Sequence, residues 1–445
     1  MKNILVIGAG RSASSLITHL LSEAGKKQWT VTVADVSEEL VLEKTKGHPA
    51  SRPLAFDIHN KEQREKEIRN SDLVISMLPA FMHLEVALDC VRLARPLVTA
   101  SYVSPEISAL DKDAKKAGII LLNETGLDPG IDHMSAMQVI DSVKERGGIF
   151  TSFRSYCGGL VAPESNDNPW GYKFSWNPRN VILAGQGTAQ YMENGSYKYI
   201  PYNRLFTQTE KVAVEGYGNF EAYANRDSLS YRRHYGLDSI PTMLRGTLRM
   251  PGYCNAWNVF VKLGWTDDTY RIADSAHLSY NQLLESFLPP AKGNLAERLI
   301  RFMGSELDED SMEKIAWLDL FSDRCSGLEN ASPAMILQHL LEDKWRLKTG
   351  DKDMIVMQHR FCYSLDGEQQ ELISSLVVKG DDPVHTAMAK TVGLPVAIAS
   401  GLILDGIIHS KGVCIPTGKE IYEPVLEALS GKGIRFTEKK IEVHG

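Results

Sequence analysis

Disulfide-forming cysteine spacing is missing from this chain. Its six cysteines (Cys90, Cys157, Cys254, Cys325, Cys362 and Cys414) are scattered, and no Cys-x-x-Cys pair occurs. That excludes a disulfide scaffold and a zinc ribbon and suits a reducing compartment, so a cytoplasmic location is expected. Excess basic charge is missing too. With 49 Lys and Arg against 56 Asp and Glu the net charge is -7, so no broad cationic face is on offer and no nucleic-acid partner is expected. Long apolar runs are also scarce. The longest, near 393–408, is interrupted by Ser400 and Asp405; it reads as a buried helix, too short and polar for a membrane span. A strand begins at once at the N-terminus, which gives the expectation of no signal peptide. His83, His234 and His359 lack metal-ligand spacing, so no metal is expected.

What is present is a sequence of 445 residues, 43% hydrophobic and 24% charged, enough for two or three domains. Residues 3–8 form a continuous apolar run, as a parallel strand covered on both faces does. Leu16, Ile17, Leu20 and Leu21 follow at helical spacing. Further strands are predicted at Thr30 to Asp35, Asp72 to Leu78, Pro96 to Ala100 and Ile119 to Leu122, with helices near 81–94 and 105–117 between them. Strands alternating with helices imply a parallel, doubly wound sheet. After Pro129-Gly130 a helix covers 134–145. From 150 to about 262 short strand-like runs among Tyr, Trp, Phe, Gly and Arg read as a mixed sheet. Helical periodicity takes over at 271–346. Met354 to Tyr363 and Gln370 to Val378 form a hairpin around Asp366-Gly367, and 384–409 is helical again.

Two segments carry chemistry. Residues 4–13 run from a strand into a glycine turn. Gly8 permits the turn, Gly10 lets the backbone approach a pyrophosphate, and Ala13 stands where a third glycine often sits. The helix that follows offers free N–H groups to phosphates. Asp35 closes the second strand, where a carboxylate can take the ribose 2′-OH of NAD and repel the 2′-phosphate of NADP. Arg11 can meet such a phosphate or simply be solvated. NAD is therefore expected as cofactor, with NADP as the alternative.

The second segment is Asn-Glu-Thr-Gly-Leu-Asp-Pro-Gly-Ile-Asp-His at 123–133. Asp128 is a candidate acid beside the nucleotide, although Asp before Pro-Gly is also ordinary turn chemistry and can cap a helix. Asp132 reads as the cap, and His133 as a buried partner beneath the site.

Further motifs then line up. They are Ala-Ser-Tyr-Val-Ser-Pro (100–105), Ser-Tyr-Cys-Gly-Gly-Leu (155–160), Asn-Pro-Trp-Gly-Tyr-Lys-Phe-Ser-Trp (168–176), Asn-Arg-Asp-Ser (225–228), Arg-Gly-Thr-Leu-Arg (245–249) and Thr-Val-Gly-Leu-Pro-Val-Ala-Ile-Ala (391–399). In this order, with Gly-Leu-Asp-Pro-Gly-Ile-Asp-His (126–133), the chain closely resembles the glutamate-forming saccharopine dehydrogenases, or saccharopine reductases. The likeness is strongest over 97–176 and 225–250 and weakest over 270–350.

The resemblance implies an α/β fold: an N-terminal Rossmann-type parallel sheet, a second mixed α/β domain and a small inserted helical domain. The expected boundaries are 1–128 for dinucleotide binding, with helices from about 384–410 packing on it. A substrate and dimerisation domain then takes 129–265 with 350–383 and 411–445, and the helical insertion takes 266–349. It implies the oxidation of saccharopine by NAD(P)⁺ and water to L-glutamate and 2-aminoadipate 6-semialdehyde in lysine metabolism, by a homodimer. By the same resemblance, Gly8, Ala9, Gly10, Arg11 and Ser12 meet the pyrophosphate and Val33, Ala34 and Asp35 the ribose. Asp57 and Ile58 lie by the adenine, and Leu78 by the nicotinamide. Ser101 and Tyr102 sit where cofactor and substrate meet. Leu127, Asp128, Pro129 and Ser175 also contact the cofactor, and Asp128, Arg226, Thr247, Leu248 and Arg249 hold saccharopine with Ser101 and Tyr102. The sequence departs from the family at Pro79-Ala80 (usually Pro-Tyr), Leu84 (a proline) and Thr125 (an aliphatic residue). Asp35 stands where NADP-using fungal forms lack an acid and animal forms carry one.

Saccharopine is a secondary amine with three carboxylates. Its site needs guanidiniums and a few proton-handling groups. Arg226, Arg232, Arg233, Arg245 and Arg249 are the available cations, and some of them can instead pair with Asp227 or Asp238. Asp128, Tyr102 and Cys157 are the candidate proton-handling groups. A buried, inert Cys157 fits the sequence equally well, and solvent can supply protons. Trp170, Tyr172, Phe174 and Trp176 read as core. Two other readings stay open at this level: a related carboxynorspermidine or lysine 6-dehydrogenase, and a catalytically silent nucleotide-binding sensor or scaffold.

Overall fold

The structure, a computed structural model, describes residues 1–442. The chain enters with β1 (Lys2–Ile7), β2 (Trp29–Asp35), β3 (Ser51–Ala55), β4 (Leu73–Ser76), β5 (Leu97–Thr99) and β6 (Ile120–Leu122). It continues through β7 (Ile149–Val161), β8 (Ala189–Glu193), β9 (Ser196–Ile200), β10 (Glu210–Val214), β11 (Gly218–Ala224) and β12 (Thr242–Arg249). The last strands are β13 (Asp353–Leu365), β14 (Glu368–Lys379), β15 (Gly412–Cys414) and β16 (Thr437–Glu442). Contacts divide the chain into two units. The first is Met1–Ile149 with Ser364–Gln369 and Leu376–Lys439; the second is Phe150–Tyr363 with Gln370–Ser375 and, among the described residues, 440–442.

The first unit is built on a parallel sheet in the order β15-β6-β5-β4-β1-β2-β3. Ile4 to Ile7 are buried on both faces, which is why β1 is apolar without alternation. The strand order reverses beside β1, between β2 and β4, and such a switch point leaves a crevice at the strands' C-terminal ends. α1 (Ser14–Lys27) buries Leu16, Ile17, Leu20, Leu21 and Ala24, and ends on Gln28 in the left-handed conformation after Lys26 and Lys27. Those two lysines suit the negative end of the helix dipole.

The helix Ala387–Leu404 packs on α1. Gly393 makes the approach possible, because a Cβ there would lie 2.9 Å from Leu16 N and 3.0 Å from Ser12 O. The run read as too short and polar for a membrane span is, as the helix Ala387–Leu404, long and apolar enough for one, yet 72% of it is buried inside the protein, as a core helix is.

One boundary differs from the sequence reading. Gly412–Cys414 pairs with β6, and the helix Lys419–Ser430 packs on Ile131–Glu145, so most of 411–439 belongs to the first unit and not to the substrate domain. Ile131–Glu145 itself also lies in the first unit.

The second unit carries a mixed sheet in the order β10-β11-β12-β7-β13-β14-β16, with β8 paired to β12 and β9 to β8. β12 runs parallel to β7 and antiparallel to β11. The β13–β14 turn places Asp366 (φ 53°) and Gly367 (φ 86°) as a tight hairpin requires. Trp170, Tyr172 and Phe174 are core, packed with Tyr253, Trp257, Phe260 and Trp345. Trp176 is half-buried and donates from Nε1 to Tyr172 Oη at 3.3 Å. The helices Tyr280–Phe287, Leu295–Met303, Glu309–Trp317 and Pro333–Lys344 fill the stretch read as helical.

Candidate active site

The first unit gathers one group of site residues at the C-terminal ends of its strands. Gly8 adopts φ +101°, and a Cβ there would sit 3.0 Å from the Met77 carbonyl carbon and oxygen, so only glycine lets β1 leave beside β4. Gly8 N donates to Ala34 O at 2.8 Å. Gly10 is exposed, with no heavy atom within 4 Å of a Cβ position. This open backbone, followed by a helical turn at Arg11–Ala13 and then α1, fits a pyrophosphate. Ala13 is buried and Arg11 exposed.

Asp35 is half-buried at the end of β2. Its Oδ2 accepts from Ala9 N at 2.8 Å and its Oδ1 from Ser37 N at 3.2 Å. The acid therefore ties the glycine turn to the β2 end. Val33 and Ala34 are buried within β2. Phe56 N donates to Asp35 O, which brings the exposed Asp57 and buried Ile58 beside it. Leu78 is half-buried after β4. The residues fit a nicotinamide dinucleotide.

Past β5, the Ser101 hydroxyl meets His83 Nε2 at 2.7 Å, and His83 Nδ1 meets Ser76 Oγ at 2.8 Å. Burial of His83 pushes its pKa down to about 4, so the imidazole is neutral near pH 7, donor on one side and acceptor on the other. Tyr102, 47% exposed, donates to Asp128 Oδ1 at 3.3 Å. Asp128 is half-buried, between the buried Leu127 and Pro129. The helix after it starts at Ile131 with Gly130 as N-cap and no side-chain cap bond, so the capping role considered for Asp128 and Asp132 is not the one found. Asp132 instead takes the Gly130 N–H at Oδ1, 2.6 Å.

The residues between these groups were missed as functional. Glu124 is buried with φ 55°, a conformation that costs a β-carbon residue about 1–3 kcal/mol. Its Oε1 accepts from Val103 N at 3.0 Å and its Oε2 meets His133 Nε2 at 2.9 Å. Glu124 lies inside the turn segment read from sequence, but its partners are 21 and 9 residues away.

The second unit places the others. Arg226 follows β11 with an exposed side chain, and its carbonyl accepts from Gln190 N. Thr247 Oγ1 donates to Asn225 Oδ1 at 2.7 Å, which sets Thr247 beside the Asn225-Arg226 turn. Asn225 was quoted in a motif but given no role. Arg249, expected among the substrate ligands, is buried in a tyrosine cage. Its guanidinium carbon lies 5.3 Å from the Tyr172 and Tyr253 rings and 5.6 Å from that of Tyr223, and Nη1 donates to Leu248 O. Leu248 is fully buried against Gly158. Arg245 stacks over Tyr231 at 4.2 Å, and Arg232 bonds the Asp238 carbonyl. Ser175 and Cys157 are buried.

Sequence comparison then decides the family. The saccharopine dehydrogenase NADP binding domain matches residues 4–122, and the saccharopine dehydrogenase C-terminal domain matches 126–434. The chain belongs to the saccharopine dehydrogenase family. The saccharopine dehydrogenase (NADP⁺, L-glutamate-forming) of Saccharomyces cerevisiae is 36% identical over 99% of both chains. The mitochondrial alpha-aminoadipic semialdehyde synthase of Mus musculus is 36% identical over 98% of this chain, which spans 47% of the mouse protein. The apo structure of the S. cerevisiae enzyme superposes with a TM-score of 0.89 at 33% identity, covering 99% of this chain and all of that one. The homospermidine synthase structure from Legionella pneumophila, at TM-score 0.57 and 10% identity, shares the fold. The match to the NADP binding domain covers strands β1 to β6 of the first sheet, the part of the chain that carries the glycine turn.

Proposed function

We propose that this protein is a glutamate-forming saccharopine dehydrogenase, oxidising the CH–NH group of saccharopine. Saccharopine, NAD(P)⁺ and water give L-glutamate, 2-aminoadipate 6-semialdehyde, NAD(P)H and a proton. The end-to-end 36% identity to the yeast enzyme carries this reading. A nicotinamide dinucleotide held by Gly8 to Ser12 and Asp35 would supply the acceptor for hydride from the carbon beside the secondary amine.

The chain's own groups do the rest. Gly8 to Ser12 hold the pyrophosphate, and Asp35 faces the ribose. Ser101, oriented by the neutral His83, holds its hydroxyl where nicotinamide and substrate meet. Tyr102 gives a hydrogen bond to Asp128, and the Asp128 carboxylate holds the substrate ammonium and takes its proton before oxidation. Arg226 binds a substrate carboxylate. The buried Cys157 thiol and the caged Arg249 are packing groups of the second unit; neither is given a proton to carry.

NAD⁺ is the preferred cofactor in this proposal. The Asp35 carboxylate, fixed by two backbone N–H groups, offers an acceptor to a ribose hydroxyl and repulsion to a 2′-phosphate. The proposal also includes a homodimer and a cytoplasmic location, the latter supported by scattered cysteines of which two, Cys157 and Cys254, are buried in the second unit.

The test is direct. Purified protein is mixed with saccharopine and either NAD⁺ or NADP⁺, reduced nicotinamide is followed by absorbance, and products are identified. Glutamate with faster NAD⁺ reduction is the expected result. Lysine as product, or no turnover with either cofactor, overturns the proposal. Light scattering on the eluted peak reports the dimer.

A further inference from the structure

We infer that Glu124, His133 and Asp132 form a buried brace that positions Tyr102 and Asp128, an inference that rests on the saccharopine dehydrogenase reading above. Tyr102 sits on a loop, nearly half exposed. Both peptide groups flanking it end on one residue. Glu124 N donates to Ser101 O at 3.0 Å, and Glu124 Oε1 accepts from Val103 N at 3.0 Å. The other carboxylate oxygen meets His133 Nε2 at 2.9 Å, and His133 Nδ1 faces Asp132 Oδ2 at 3.4 Å. Asp132 Oδ1 accepts from Gly130 N at 2.6 Å. Gly130 follows Asp128 and Pro129, and Asp128 accepts from the Tyr102 hydroxyl. The path closes on itself: Tyr102 backbone, Glu124, His133, Asp132, Gly130, Asp128, Tyr102 side chain.

All three brace side chains are buried, His133 completely. An apolar trio would hold a helix against a sheet at no desolvation cost, whereas two carboxylates and an imidazole need every partner satisfied. What the polar trio supplies instead is directional fixing of two loops, one bearing the hydroxyl and one the carboxylate. Shifting such groups by about 1 Å can cost about 100-fold in rate. Glu124, His133 and Asp132 are thus positioning residues.

The experiment compares wild type, His133→Gln, Tyr102→Phe and the double variant, with saccharopine and NAD⁺. The expected result for His133→Gln is a kcat lower by about 100-fold with the KM for NAD⁺ unchanged, since the glycine turn and Asp35 are untouched. Tyr102→Phe should then add little to the His133→Gln loss, because the hydroxyl is already displaced. Two results overturn the brace: a wild-type kcat in His133→Gln with only a lowered Tm, or losses that multiply independently in the double variant. Where His133→Gln does not fold, Glu124→Gln carries the same comparison, keeping an oxygen for Val103 N while altering the contact with His133. A wild-type protein inert toward saccharopine removes the functional reading and the brace with it; an active wild type with indifferent variants removes the brace alone.

Discussion

Asp35 accepts two backbone N–H bonds, so its charge is held at one point instead of swinging with solvent. Asp35→Asn keeps an amide oxygen for Ala9 N and removes the charge. The expected outcome is a rise in the NADP⁺-to-NAD⁺ ratio of kcat/KM of about 10- to 100-fold, worth about 1.4–2.8 kcal/mol. An unchanged ratio in initial-rate assays would assign cofactor choice elsewhere, with exposed Arg11 the next residue to change. Arg226 is the substrate-side counterpart. Arg226→Ala removes a charge-assisted pair worth about 1.5–3 kcal/mol, so the saccharopine KM should rise about 10- to 100-fold while the KM for NAD⁺ holds. A saccharopine KM equal to wild type would strike this arginine from the site. Asp35 was readable from the sequence because its role depends on position at a strand end. Glu124 and His83 were not, because each acts through a partner that only the sheet order brings near. The tyrosine cage of Arg249 was hidden for the same reason, since it draws on residues 172, 223 and 253.

At the scale of elements, the contact between α1 and Ala387–Leu404 has no slack. The neighbours a Cβ at Gly393 would strike are the backbone atoms Leu16 N and Ser12 O, which cannot rotate away. Gly393→Ala should therefore destabilise the protein by about 1–3 kcal/mol and displace Ser12 at the pyrophosphate turn. Thermal unfolding with and without NAD⁺ checks this: a lower Tm and a smaller NAD⁺-induced shift are expected. Parity with wild type in both would show that the helices can part without loss. β1 and β4 were legible because burial on both faces writes an unbroken apolar run, and β2 because its β-branched stretch from Thr30 to Val33 reads as a strand. β3 escaped notice, since Ser51–Ala55 is an edge strand that contains Pro53 and buries little. β15, three residues long, is too short to show any period.

Over the whole molecule, motif order and spacing made the family legible, whereas the return of most of residues 411–439 to the first unit was not. That return depends on a three-residue pairing with β6 and on helix packing, neither of which leaves a local pattern. The same unit carries a pH dependence set by two histidines. Burial lowers the pKa of His83 to about 4, and burial with help from Lys432, against Glu23, does the same for His19. A folded-state pKa below the unfolded 6.5 means that, between the two values, the unfolded chain binds protons the folded chain does not. Stability is therefore full above pH 6.5 and falls as pH drops toward 4. At 1.36 kcal/mol per pH unit, His83 alone should remove about 2 kcal/mol between pH 6.5 and about pH 5. Urea midpoints at those two pH values should separate clearly for wild type and less for His83→Gln, whose remaining slope belongs to His19 and the carboxylates. An identical slope in the variant would mean that His83 takes up its proton without unfolding anything, and that the Ser76–His83–Ser101 chain tolerates an imidazolium.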